Sequence, residues 1–164
     1  MTTRPLVDHE LTPLLDQIPT VELTEVIVKQ VRAMDQTQKL PNLPTFPDIE
    51  VTKCFVPGLE GAPEVRVLLY LPITVEGPRP ALLWMHGGGY IMGSPEQEDL
   101  LVKNMVSAIG CVAVSVDYRL APETHHPGPV EDCYAALKWL HTHASELGVD
   151  PTRIAIAGSS AGAG

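Results

Sequence analysis

The sequence is poor in cysteine and in positive charge, and each deficit excludes a class of protein. Its three cysteines are odd in number and widely spaced, so they match neither a disulfide framework nor a metal site, and we expect free thiols in a reducing compartment. Eleven basic residues against 20 acidic ones give a formal net charge of −9. Because that charge repels phosphate groups, we expect no nucleic-acid partner and no binding to anionic membrane surfaces.

Long apolar runs are also missing. No run approaches the ~20 residues needed to span a bilayer, and residues 1–10 lack the apolar stretch of a signal peptide. We therefore expect no membrane span and a cytoplasmic location. The length of 164 residues and the 45% hydrophobic content nevertheless suffice for a domain with a buried core.

The first 40 residues have the spacing of helices. A short helix is predicted to end near Pro19, and a second one has apolar residues that line one face: Leu23, Val26, Ile27, Val31 and Met34. We treat residues 1–40 as a helical N-terminal segment and residues 41–164 as the main domain.

The main domain alternates short apolar runs with helical patterns. Strands are predicted at 51–56, 65–71, 81–85, 111–116 and 153–157, and helices at 98–108 and 130–147. The first two strands are expected to pair as an antiparallel hairpin, and the later strands as a parallel sheet covered by helices on both faces. The fold class is therefore α/β. In such sheets ligands bind beyond the carboxyl ends of the strands.

A glycine-rich loop follows the predicted strand 81–85. It reads His86, Gly87, Gly88, Gly89 and Tyr90. Three adjacent glycines let the backbone turn sharply, which leaves amide hydrogens free to point at a ligand. Acyl transfer needs such donors, because its tetrahedral intermediate concentrates negative charge on one oxygen.

A second glycine-rich turn follows the predicted strand 153–157. The segment Gly158–Gly162 has the pattern G-x-S-x-G, in which a tight strand-to-helix turn exposes a serine hydroxyl. Ser160 stands at the nucleophile position, and the amide of Ala161 would be a further oxyanion donor. The pattern alone is weak evidence, but its combination with the His-Gly-Gly-Gly loop after another strand is strong.

Ser160 and the glycines around it also fit two other interpretations. Ser160 could be a helix N-cap, and the glycines at 158, 162 and 164 resemble a dinucleotide-binding turn of the short-chain dehydrogenase kind. That turn should follow the first strand of its fold, and it leaves the loop at His86 unexplained. His86 is interpreted as orienting the glycine loop, and Tyr90 as either lining the substrate pocket or packing. Three residues are interpreted as one buried scaffold network behind the loop: Asp117, Arg119 and Glu123.

The two loops and their surroundings resemble the hormone-sensitive-lipase-like branch of the α/β-hydrolases, which includes carboxylesterases and arylacetamide deacetylases. Val116–Glu123 and the dipeptide at 150–151 continue the likeness. The resemblance implies an α/β-hydrolase fold, a small-molecule ester substrate, no cofactor and no metal. It also implies that residues 1–40 contribute to a cap. By position it makes Ser160 the nucleophile. It assigns the oxyanion hole to the amides of Gly88, Gly89 and Ala161. It leaves His86 and Gly87 as residues that support the loop.

The resemblance also implies what should follow Ser160. In this fold the triad order is Ser, then Asp or Glu, then His, and only four residues follow Ser160 here. We therefore expect the triad acid and base to be missing from this chain, and the 164 residues alone to be inactive. A non-catalytic receptor on the same fold and an inactive truncated fragment remain alternatives.

Overall fold

A computed structural model describes residues 3–18, 22–35, 44–73 and 77–164. Its strands are β1 (Ile49–Val56), β2 (Val65–Pro72), β3 (Arg79–Met85), β4 (Val112–Asp117) and β5 (Val149–Gly158). Its α-helices are α1 (Thr12–Leu15), α2 (Glu25–Asp35), α3 (Asp99–Ile109) and α4 (Gly128–Thr142). Short 3₁₀ helices occupy Arg4–Leu6, Pro95–Glu98 and Ser160–Ala163. Every predicted strand and helix of the main domain is present.

The five strands form one sheet in the order β1-β2-β4-β3-β5. β1 and β2 form the predicted antiparallel hairpin, and β2 continues antiparallel to β4. β3 lies between β4 and β5 and is parallel to both. The predicted α/β fold class is confirmed, with the parallel pairings concentrated in the half of the sheet that carries both glycine-rich turns.

Helices cover both faces of the sheet, as predicted. α4 buries Ala135, Ala136 and Leu140 in one core cluster, and α3 buries Val102 and Val106 in the other. The cysteines are all free, and burial raises the pKa of each thiol, that of Cys133 to about 12. None of the helices in the described ranges is both long and apolar enough to cross a membrane.

Two helix predictions need correction. α4 ends at Thr142 rather than at residue 147, because the chain reverses through a turn with Gly148 at φ 65° and enters β5 at Val149. Among the described side chains of α2, Val28 is buried and Val26 is exposed, and Leu23, which precedes the helix, is exposed as well. The helical period of α2 is therefore right, but the face that packs is rotated toward Val28 and Arg32.

Some predictions concern residues that the structure does not describe. The predicted helix end at Pro19 and the segment boundary at residue 40 fall outside the described residues, and so does the side chain of Met34.

The buried side chains of β3 are expected to contribute strongly to stability. Leu83 on β3 is 1% exposed, so Leu83→Ala should lower the free energy of unfolding by about 3 kcal/mol through lost burial and a residual cavity. Ile109 at the end of α3 is 60% exposed, and Ile109→Ala should cost less than about 0.5 kcal/mol. Urea denaturation of both variants measures the difference, and equal losses would contradict the assigned core.

Candidate active site

The two glycine-rich segments leave the sheet side by side. Met85 at the end of β3 is in register with Gly158 at the end of β5, and the amide of Ser159 donates a hydrogen bond of 3.0 Å to the Met85 carbonyl. His86 and Ser159 therefore begin their loops as neighbours. The structure thus brings together the two segments that the sequence places 72 positions apart (158 − 86 = 72).

The turn after β5 has the geometry of a strained elbow. Ser160 has φ 49°, in the left-handed region that non-glycine residues avoid, and the residue is exposed to solvent. It is the first residue of the 3₁₀ helix Ser160–Ala163, while the capping position falls on Ser159, whose side chain makes no capping hydrogen bond. The N-cap interpretation of Ser160 therefore does not hold.

The glycines on either side of the elbow are required by backbone contacts. A Cβ on Gly158 would lie 2.2 Å from the carbonyl oxygen of Gly162. A Cβ on Gly162 would lie 2.2 Å from the carbonyl oxygen of Met85 and 2.6 Å from that of His86. These neighbours are main-chain atoms that cannot move aside, so any side chain at either glycine would push the elbow away from β3.

The loop after β3 turns through three consecutive left-handed residues: Gly88 at φ 125°, Gly89 at 62° and Tyr90 at 63°. The amides of Ile91 and Met92 both donate to the Gly88 carbonyl, at 3.1 and 3.0 Å. A Cβ on Gly88 would lie only 2.0 Å from the Met92 carbonyl oxygen. The tight turn therefore depends on glycine at position 88.

The amides of this site differ in whether they have a partner. Gly87 donates to a carboxylate oxygen of Glu98 at 3.2 Å. The amides of Gly88, Gly89 and Ala161 donate to no acceptor within the described part of the chain. The three amides that the sequence nominates as oxyanion donors are thus without a partner in the described residues, whereas the Gly87 amide is held by Glu98.

His86 lies beneath the loop and is 1% exposed. Its ring stacks on Tyr118 with 4.2 Å between ring centroids, and the Tyr118 hydroxyl donates to the His86 carbonyl at 2.7 Å. Nδ1 lies 2.7 Å from the carbonyl oxygen of Gly87, which can only accept, so Nδ1 carries the proton. These contacts go to the loop and its floor, which favours the interpretation of His86 as loop support.

Tyr90 contacts the rest of the loop region through its main chain and a cavity through its ring, and its contact with substrate stays a prediction. Its carbonyl accepts a hydrogen bond of 2.8 Å from Ala121, which fixes the loop, and its side chain is partly exposed. The ring also borders a cavity of about 160 Å³ that Tyr118, Cys133 and Ala161 help to line.

The predicted network of Asp117, Arg119 and Glu123 is wrong as a single unit. The structure contains three separate ion pairs: Asp117 with Arg66, Arg119 with Asp132, and Glu123 with Arg32. The three residues reach different elements, namely β2, α4 and α2. Of the acids involved, Asp132 is buried, whereas Asp117 and Glu123 are partly exposed.

Sequence reasoning missed Arg32 and Glu98. Arg32 on α2 donates to the carbonyls of Ile91 and Ala121, both at 2.7 Å, and pairs with Glu123 at 2.9 Å. It therefore ties the N-terminal helix to the glycine loop. Because its partners lie 59 to 91 positions away in the chain, no local pattern could have identified it.

An exposed serine on a strained turn, beside a loop with free amides at the edge of an open α/β sheet, defines a class of hydrolase-like proteins. The chain belongs to the α/β-hydrolase fold family, whose sequence model matches residues 82–164. The elbow follows β5, after four other strands of the described residues, so the order of elements does not fit the dinucleotide-binding alternative.

Known relatives agree with this assignment. Carboxylesterase NlhH of Mycobacterium tuberculosis is 37% identical over 160 residues, which cover 97% of this chain and 49% of that protein. Human arylacetamide deacetylase-like 2 is 44% identical over 104 residues, 60% of this chain and 26% of that protein. A structure of a bacterial heroin esterase matches with a TM-score of 0.76 and 40% identity, covering 98% of this chain and 51% of the esterase. These relatives support the hormone-sensitive-lipase-like branch, and the chain spans about half the length of the mycobacterial carboxylesterase and of the heroin esterase.

The strained backbone of Ser160 should be measurable as lost stability. Ser160→Gly should be more stable than Ser160→Ala by about 1 kcal/mol, because glycine accepts φ 49° without a Cβ clash. Ser107, exposed on α3, supplies the matched control: there the glycine variant should be less stable than the alanine variant by about 1 kcal/mol. Denaturant unfolding of the four variants gives both differences, and the same sign at both positions would contradict the strain.

Proposed function

We propose that the protein containing this chain cleaves carboxylic esters of small molecules through an acyl-enzyme on Ser160. The observation that carries the proposal is the set of three unpartnered amides, at Gly88, Gly89 and Ala161, beside an exposed serine on a strained turn. The names of the relatives support the substrate class, since they include a carboxylesterase and a heroin esterase.

In this mechanism the Ser160 hydroxyl attacks the ester carbonyl carbon and loses its proton to a general base. The carbonyl oxygen becomes an oxyanion, which the three free amides bind. Each such donor is worth roughly 3–4 kcal/mol of transition-state stabilisation. The C–O bond to the alcohol then breaks as the alcohol takes up the proton, and water hydrolyses the acyl-enzyme by the same route. Acyl transfer of this kind needs no cofactor.

The general base is not assigned to a residue of this chain. In this fold the base follows the nucleophile along the chain, and all six histidines here precede Ser160. The contact made by His86 also argues against its being the base, because its Nδ1–H donates to the Gly87 carbonyl under the loop.

The N-terminal helices are proposed to contribute to a cap over this site. Arg32 supports this proposal, because it fastens α2 to the loop that carries the oxyanion donors. The exposed apolar residues of this segment, including Leu23 and Val26, would then face the bound ester or other parts of the cap.

The nucleophile can be identified directly in the full-length gene product that carries residues 1–164. We expect turnover of p-nitrophenyl acetate and a fluorophosphonate adduct on the peptide containing Ser160. Ser160→Ala should abolish the adduct and lower kcat by about 10⁴-fold or more, because Ser160 alone occupies the nucleophile position of the elbow. Intact-mass and peptide mass spectrometry, with the ester assay, measure both effects.

Ser159→Ala is the matched control, since it removes the adjacent hydroxyl and should keep the adduct on Ser160. Turnover that survives Ser160→Ala would overturn the proposal. A wild-type protein that binds esters without turnover or labelling would instead favour the non-catalytic receptor.

A further inference from the structure

We propose that Glu98 is a positioning residue for the oxyanion-binding amides: its carboxylate holds the Gly87 amide and thereby directs the peptide groups of Gly88 and Gly89. This inference rests on the proposed function of the site. It adds a residue from outside both glycine-rich motifs, at the end of the 3₁₀ helix Pro95–Glu98 that leads into α3.

The Glu98 carboxylate joins the loop to the rigid sheet. Oε1 accepts a hydrogen bond of 3.2 Å from the Gly87 amide, and Oε2 accepts one of 2.5 Å from the indole Nε1 of Trp84. Trp84 lies in β3 and is only 7% exposed, so its indole is a fixed reference point. One side chain therefore spans from a buried ring of the sheet to the first peptide of the glycine run.

Gly87 is confined between this carboxylate and the elbow. A Cβ at Gly87 would lie 3.1 Å from the carbonyl oxygen of Ser159 and 3.6 Å from Oε1 of Glu98. The orientation of the Gly87 peptide therefore also affects how the loop packs against Ser159, the residue before Ser160. A displacement of Glu98 would be transmitted to both halves of the site.

The glycine run needs an external support of this kind. Glycine has the greatest backbone freedom of any residue, and Gly88 and Gly89 carry no side chains that could pack. An oxyanion hole works only when its donors are already oriented before the charge develops. Fixing the peptide just before the two donors is a direct way to reduce that freedom.

The neighbouring acids have other partners. Glu96 pairs with Arg66, whose hydrogen bond lowers the pKa of that carboxyl group, and Asp99 binds the Tyr70 hydroxyl and Lys103. Glu98 is the one of these three whose contacts go to the glycine loop. A carboxylate suits the position, because each of its two oxygens can accept from a separate N–H donor.

The test uses Glu98→Gln in the full-length gene product. Glutamine keeps the size of the side chain but offers a single carbonyl oxygen to two N–H donors, so the Gly87 peptide is no longer held as in the wild type. We expect kcat to fall about 10- to 100-fold, which does not exceed the decrease expected when one oxyanion donor is removed completely. The affinity for a trifluoromethyl ketone, which forms a tetrahedral oxyanion on the serine, should fall by a similar factor, while KM stays nearly constant.

Glu96→Gln is the matched control, because it removes a carboxylate two positions away that does not touch the loop. It should leave kcat and the inhibitor affinity close to the wild-type values. A rescue variant separates positioning from general stability: adding Trp84→Phe to Glu98→Gln removes the competing donor and should raise kcat above that of Glu98→Gln alone. If Glu98→Gln does not fold, Trp84→Phe alone frees one end of the carboxylate and should lower kcat and inhibitor affinity together.

The outcomes separate this inference from the proposed function. Wild-type turnover and Ser160 labelling together with an unchanged kcat and inhibitor affinity in Glu98→Gln would overturn the role of Glu98 alone. A lower melting temperature with unchanged kcat per folded molecule would also overturn it, since that result describes a purely structural residue. A wild-type protein without turnover or labelling would overturn the proposed function and this inference with it.

Discussion

The site depends on a direct contact between two backbones. The elbow after β5 lies against the end of β3 so closely that Gly162 has no room for a Cβ beside the carbonyls of Met85 and His86. The Ser159 amide donates to the Met85 carbonyl across the same contact. Because neither partner is a side chain, the relative position of serine and glycine loop is fixed by the register of the sheet itself.

That contact explains why strain can persist on both sides of it. Ser160 and Tyr90 are non-glycine residues in the left-handed region, each at a cost of about 1–2 kcal/mol. The strands before them and the hydrogen bonds around them, such as that from Ala121 to the Tyr90 carbonyl, hold these conformations in place. These two strained residues lie in the two glycine-rich turns of the site.

Long side chains connect this centre to the rest of the molecule. Arg32 reaches the glycine loop from α2, and Arg119 fastens the segment after β4 to the buried Asp132 of α4. Glu98 reaches the same glycine loop from the end of the 3₁₀ helix that precedes α3. Arg32 and Glu98 come from different helices, so the loop conformation depends on how both of these helices pack on the sheet.

The sequence by itself determined the fold class, the strands and the two glycine-rich turns. Strands β3 and β4 are buried on both faces and therefore read as continuous apolar runs, while the glycine spacing follows from backbone geometry that side chains would obstruct. Both signals are local. The end of α4, the packed face of α2 and the separation of Asp117, Arg119 and Glu123 into three pairs were not predictable in this way. Tertiary structure alone decided these features and the anchoring roles of Arg32 and Glu98. Such contacts join elements that lie apart in the chain, and the direction in which each side chain points is set only when those elements pack together.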